Sequence, residues 1–249
     1  MCDILHISIR LNMTRKNVLN LKSLKDQVYD YLREQMELGE IRPGTVINME
    51  DTSRELGVSR TPLRDALLQL EVENFVSILP RRGVVVNVLT LKDIKSYYEI
   101  LGALESAALL SCFKKIKKTG IKKMKVLNER MAQAISGDDF NSYYQNNLKF
   151  HNVFLDLCGN VLLKKMVNNL KQKLYDFPRQ QGFVKEWEVE SIKEHQELVD
   201  LIEKGKSQEA SSYIRDVHWS YAVQKKYIQK YYSHAASLAD SEEARWPKE

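Results

Sequence analysis

The sequence predicts a mainly α chain in two units, an N-terminal group of three helices closed by a small β-hairpin and a longer all-α bundle behind it. Three observations predict it. Residues 48–67 hold two helical periods separated by a tight turn at Gly57. Directly after them, residues 75–79 and 84–88 are β-branched apolar runs joined by Pro80-Arg81-Arg82-Gly83, a hairpin with a basic tip. From Leu91 onward the breaks fall at helix-length intervals, at Thr119-Gly120, Gly137, Gly159, Pro178 to Gly182 and Gly205, too sparse for sheet.

In order, residues 1–22 read as a flexible arm. Ser23 caps a helix whose Leu24, Val28, Leu32 and Met36 recur every fourth residue and which ends at Gly39. Asn48 with Asp51 caps the second helix. Ser59 caps the third, which Pro62 can enter in its first turn. There Leu63, Leu67 and Leu70 form the inward stripe, while Arg60 and Arg64, one turn apart, share another face. Thr90 with Asp93 three residues on is a capping-box-like start, so the first unit spans 23–89. About six helices follow over 90–232, with apolar periods such as Met124, Leu127, Met131 and Ile135, and residues 233–249 turn acidic and aperiodic, a tail.

With 249 residues, 43% hydrophobic and 29% charged, the chain can bury a real core. Cys2, Cys112 and Cys158 have no paired spacing, which predicts a reducing cytoplasm and excludes a disulfide framework. No apolar run approaches the roughly 20 residues of a membrane span, and no signal peptide is expected. The net charge of +5 does not argue for nucleic acid. Residues 1–89 hold 12 basic and 12 acidic side chains, and the excess lies in the bundle.

The case for DNA rests on local placement. Two helices about a tight turn plus a basic hairpin make a winged helix-turn-helix, whose second helix enters the major groove with its N-terminal residues at base edges. Arginine there can pair bidentately with guanine, each pair discriminating by roughly 1–3 kcal/mol. Arg60 and Arg64 hold those positions. The hydroxyls of Ser59 and Thr61 suit phosphate oxygens, and Gly83 would let the wing backbone approach DNA.

The run from Gly57 to Leu67 (GVSRTPLRDAL), followed by Leu70-Glu71 and Arg81-Arg82-Gly83-Val84, resembles the DNA-binding domain of the GntR family of bacterial transcription regulators. The resemblance implies DNA contacts at Arg60, Thr61, Arg64 and Gly83, with Ser59 and Arg82 beside them. One departure stands out: Met49-Glu50-Asp51 occupies a place where members of the FadR subfamily often carry a further DNA-contacting arginine.

The second unit resembles that subfamily's ligand-binding bundle, the FCD domain, at Leu104-Glu105-Ser106-Ala107-Ala108, Asn147-Leu148-Lys149-Phe150-His151, Gly159-Asn160, Glu194-His195, Gly205-Lys206 and His218. Asn147 and His151, four apart, share one helix face, and His195 and His218 lie on later helices. Three histidines and an oxygen donor suit a divalent transition metal, zinc or nickel, with positions left for water or a carboxylate. Many members have aspartate where this chain has Asn147, and an amide is the weaker ligand. Glu194 and Asp216 read as surface carboxylates or as groups that orient the histidines. The resemblance implies a small organic acid as effector, and with Leu101-Gly102 where the family frequently has arginine, Arg130, Arg179 and Arg215 remain as candidate partners for its carboxylate.

These readings predict a cytoplasmic, homodimeric transcription regulator, a repressor on an inverted-repeat operator in double-stranded DNA, controlled by a small carboxylate, a metal or both, and not an enzyme. The alternative is a metal-dependent enzyme built on the histidine site, against which stands the lack of a nucleophile motif or phosphate loop.

Overall fold

The computed structural model describes residues 22–80, 83–176, 184–230 and 232. Arg82 and Arg179, the expected arm and the expected tail lie outside them.

α1 (Leu24–Leu38) starts where Ser23 Oγ accepts from Asp26 N and ends at Gly39, in the left-handed region at φ 83°. It buries Val28, Leu32 and Met36, the stripe its four-residue period predicts. α2 (Met49–Glu55) is capped by Asn48, whose side chain accepts from Glu50 N and Asp51 N. The chain turns at Gly57 (φ 64°) into α3 (Arg60–Val72). Ser59 is the N-cap residue, with extended backbone, but its side chain makes no capping bond; the expected hydroxyl cap is not formed. Leu63, Leu67 and Leu70 are buried, as expected, and Ala66 joins them.

The hairpin is β2 (Val76–Leu79) and β3 (Gly83–Val86), antiparallel, with Ile78 opposite Val84. A short β1 (Val46–Ile47), absent from the sequence reading, pairs on the other side of β3, giving the order β1-β3-β2. Two residues carry too little periodicity to be read alone; β1 exists because β3 offers it an edge. Val28, Leu32, Leu63, Leu67, Phe75 and Val84 belong to one core.

The bundle opens with α4 (Leu91–Cys112), where Thr90 and Asp93 form the predicted capping box. α5 (Lys118–Ser136), α6 (Phe140–Cys158), α7 (Val161–Asp176), α8 (Lys185–Glu203) and α9 (Ser207–Tyr213) follow. The expected break at Thr119-Gly120 is displaced: both residues lie in the first turn of α5, and the chain turns just before, through residues 113–117. α9 runs into a π-helical turn, Ile214–His218, and residues 219–220 lead into α10 (residues 221–230). The π turn makes seven described helices where about six were expected. Such turns insert a residue into the helical repeat and cluster at functional sites. Tyr98, Leu101, Met131, Phe150, Phe154, Leu198 and Ile214 share the bundle core.

Two close approaches on α4 seat the π turn. A Cβ at Gly102 would lie 3.3 Å from the Arg215 carbonyl oxygen and 3.3 Å from Trp219 Cβ. One turn on, Ser106 Oγ lies 2.7 Å from Ser211 Oγ. Only small residues on α4 let the π turn come this near.

Candidate functional site

Most of the residues that the sequence assigns to DNA lie at α3. Ser59, Arg60, Thr61 and Arg64 are all exposed at its N-terminal half. Arg60 Nη2 lies 3.4 Å from Glu50 Oε2 on α2, and Arg54 lies 3.8 Å from the other oxygen of the same carboxylate. Glu50 therefore draws the Arg60 guanidinium toward α2. Gly83 is exposed at φ 94°, a conformation an L side chain rarely adopts, so the backbone at this end of the wing is bare.

In the bundle, α6 supplies His151, α8 supplies His195 and the π turn supplies His218. All three are buried, and their ligating nitrogens lie within 4.8 Å of one another. Each element contributes because its period turns one side inward: His151 sits beside Phe150 and Phe154 on the core face of α6, and His195 precedes the buried Leu198 and Val199.

Carboxylates fix two of the rings. His151 Nδ1 lies 2.7 Å from Glu105 Oε2 on α4, and His218 Nδ1 lies 2.8 Å from Glu194 Oε2 on α8. An ionised carboxylate only accepts, so each Nδ1 carries a proton and Nε2 is the atom left to ligate, the arrangement that orients a metal ligand. His151 Nε2 faces His195 Nε2 at 3.3 Å. His195 Nδ1 is buried with no hydrogen-bond partner. Burial holds the His151 pKa down to about 3, against the pull of Glu105, and burial together with the other two histidines holds His195 well below its usual value. Neutral imidazoles are what a transition metal requires, so the donor set fits such an ion, with His151, His195 and His218 holding it.

Asn147 is buried one turn before His151, with its amide nitrogen 3.5 Å from the Tyr143 hydroxyl. It lies on the same side of α6 as predicted.

The sequence missed the charged partners of this centre. Glu105 is fully buried and also accepts from Trp219 Nε1 at 2.9 Å. Lys171 on α7, 1% exposed, places Nζ 2.6 Å from Glu105 Oε1 as an ion pair outside hydrogen-bond angles. Burial works to raise the Glu105 pKa, but His151 and Lys171 outweigh it and hold the carboxyl below its usual range. Burial lowers that of Lys171, with Glu105 opposing. A lone carboxylate in the otherwise apolar run 100–112 was the available signal for Glu105; Lys171 sits among other lysines and gave none. Glu194 proves to be an orienting group, held by Gln224 Nε2 at 2.7 Å as well as by His218. Asp216 is exposed and paired with Arg215.

Of the expected effector cations, Arg130 is exposed on α5, and Arg215 is exposed with Nε and Nη2 each 2.7 Å from an Asp216 oxygen. Gly102 is packed against the Arg215 backbone, where an added Cβ would require a shift of a few tenths of an ångström. Among the described residues the buried cation of the centre is Lys171.

Residues 24–86 match the bacterial regulatory protein model of the gntR family, and residues 96–217 match the FCD domain. YdhC of Bacillus subtilis, described as an uncharacterized HTH-type transcriptional regulator, is 25% identical over 190 residues, 76% of this chain and 84% of that protein. The HTH-type transcriptional repressor RspR of Escherichia coli is 24% identical over 160 residues, 64% of this chain and 70% of its own. Among solved structures, E. coli McbR/YncC superposes with a TM-score of 0.65 at 22% identity, covering 86% of this chain and 99% of that one. No helix among the described residues is long and apolar enough to cross a membrane. With a winged helix-turn-helix at its N-terminus and an FCD bundle behind it, the chain belongs to the GntR family of DNA-binding transcription regulators.

Proposed function

We propose that the chain is a homodimeric repressor that binds an inverted-repeat operator, and that occupancy of the histidine centre sets its operator affinity. The observation that carries this reading is the convergence of three buried imidazoles, two of them anchored by buried carboxylates, in a bundle joined to a winged helix. A zinc or nickel ion held there would offer open positions to a small carboxylate. Asn147 in place of an anionic ligand weakens the metal and makes an anionic effector the completing partner.

The dimer is supported by an apolar face. Ile100 and Leu110 on α4 and Val161, Leu162 and Met166 on α7 are exposed large hydrophobics, with Ala103 and Ala107 between the first two. A second copy of this face is its natural cover. Repression is supported by the name RspR carries. The enzyme alternative finds no support among the relatives, which are described as regulators.

The test is selection of bound sites from random duplex DNA, with native mass spectrometry of the complex. A recovered inverted repeat bound by two chains, lost in Arg64→Ala while the variant stays folded, is the expected result. Binding without sequence preference, or by one chain, overturns the reading.

A further inference from the structure

Beside the histidines lies a small cavity of about 20 Å³, room for one water-sized group. Its walls are the rings of Tyr98, Tyr175, Trp187 and Trp219, and two carboxylates, Glu188 and Glu194, open onto it. His218 borders it too, so it adjoins the centre described above. The walls are held in place. Tyr98 and Trp219 meet edge to face at 5.3 Å, and Trp187 stacks on Tyr227 while its Nε1 donates to Gln224 Oε1 at 2.9 Å.

The two carboxylates differ. Glu194 is committed, accepting from His218 and Gln224. Glu188 is 6% exposed, the Tyr143 hydroxyl is its hydrogen-bonding neighbour, and among the described residues no ion pair reaches it. Burial lifts its pKa to about 7. No lysine or arginine among the described residues lines the cavity. A buried acid with no ion pair, in a cavity walled by Tyr98, Tyr175 and Trp187 besides Trp219, whose ring already has Lys171 Nζ 5.2 Å from its centroid, attracts an ammonium group and repels a carboxylate.

We propose that this cavity is an ammonium subsite, and that the effector is an amine-bearing carboxylic acid, its carboxylate at the histidine centre and its ammonium between Glu188 and the aromatic walls. The carboxylate half rests on the function proposed above; the ammonium half rests on the cavity alone.

Trp187 and Trp219 report directly on this site. The full zinc-loaded chain is titrated, following tryptophan fluorescence, with methylammonium chloride, sodium acetate and β-alanine, which are the two halves and the whole. The expected result is that methylammonium shifts the emission where potassium chloride at the same concentration does not, and that β-alanine binds about tenfold tighter than acetate. Glu188→Gln should remove the methylammonium response and bring β-alanine to the level of acetate, with acetate unchanged. Tyr175→Leu, which removes one wall and no charge, should weaken methylammonium several-fold and serves if the first variant does not fold. Silence toward methylammonium, an equal response to potassium, or β-alanine no tighter than acetate and insensitive to Glu188→Gln overturns the subsite. Acetate binding in those cases leaves the carboxylate reading intact. A methylammonium response lost in Glu188→Gln, with acetate silent, supports the subsite and overturns the carboxylate half.

Discussion

Lys171 and Lys173 lie two residues apart on α7, and their ammonium groups end in different units of the protein. Lys171 Nζ pairs with Glu105 at the histidine centre, whereas Lys173 Nζ lies 5.6 Å from the Phe75 ring centroid and 5.4 Å from that of Tyr97. Residues two apart on a helix point to nearly opposite sides, so one helix can serve both places. Phe75 follows α3 directly, and Glu73, the C-cap of α3, acts on the Lys173 charge. A displacement of α7 at Lys171 would carry Lys173 with it, and Lys173 touches residues at the end of the helix that carries Arg60 and Arg64.

Breaking the ion pair should cost far more than deleting it. Lys171→Met leaves the Glu105 charge buried with only neutral donors and is expected to destabilise the chain by about 3–5 kcal/mol. Adding Glu105→Gln removes that charge and should recover part of the loss. Urea denaturation of the single and double variants measures the coupling, and additive effects would show that the two charges do not interact.

Lys173→Ala removes two cation–π contacts and the charge facing Glu73. A loss of about 1 kcal/mol is expected in urea denaturation. Zinc binding should be unchanged, because Lys173 does not touch the histidines, while the effect of zinc on DNA affinity shrinks. Full retention of that effect would place the coupling elsewhere than α7.

Glu50→Ala should strengthen DNA binding. It deletes a negative charge from the DNA-facing side and frees Arg60. Several-fold tighter binding and a steeper dependence on salt concentration are expected in fluorescence anisotropy. Stability should change by less than about 0.5 kcal/mol, because the pair is exposed. Weaker binding by the variant would mean that Glu50 positions Arg60 for its contact.

The Glu188 contribution to stability should fall as pH rises from about 4.5 to 7, against the opposite trend of His151 and His195, whose lowered pKa values make their contribution rise with pH up to about 6.5. Burial raises the Glu188 pKa from 4.5 to about 7, so between those values the native state keeps a proton that the unfolded chain has lost. Its stabilising contribution is complete below about 4.5 and is lost as pH climbs through 7. Glu188→Gln should remove the falling component, so that stability gains more between pH 5 and pH 8 than in the parent chain, and leave the chain more stable at pH 8 by on the order of 2 kcal/mol. Urea midpoints at pH 5 and pH 8 for both proteins decide it, and parallel slopes would rule Glu188 out.

Asn147→Asp should tighten metal binding about tenfold or more, since it restores an anionic oxygen on the α6 face that carries His151. Competition with a chelator of known affinity measures it. An unchanged affinity would mean that position 147 does not reach the ion.

The sequence by itself determined the winged helix, because its signals are local. Gly57, the caps at Asn48 and Thr90, the three-four spacing of Leu63, Leu67 and Leu70, and the basic turn after Leu79 each act within a few residues. It also determined that His151, His195 and His218 belong together, through their resemblance to a known bundle rather than through spacing. The tertiary structure decided what lies between distant segments. Glu105 and Lys171 are 66 positions apart, and neither carries a local pattern that names its partner. Their pairing exists because α4 and α7 bury both in a medium too apolar to leave a charge alone. The same holds for Glu50 against Arg60, for Gly102 beneath the π turn and for the aromatic cavity at Glu188. Helix periodicity tells which side of each helix turns inward; which side chains meet there depends on packing between helices, and that is not written in any one segment.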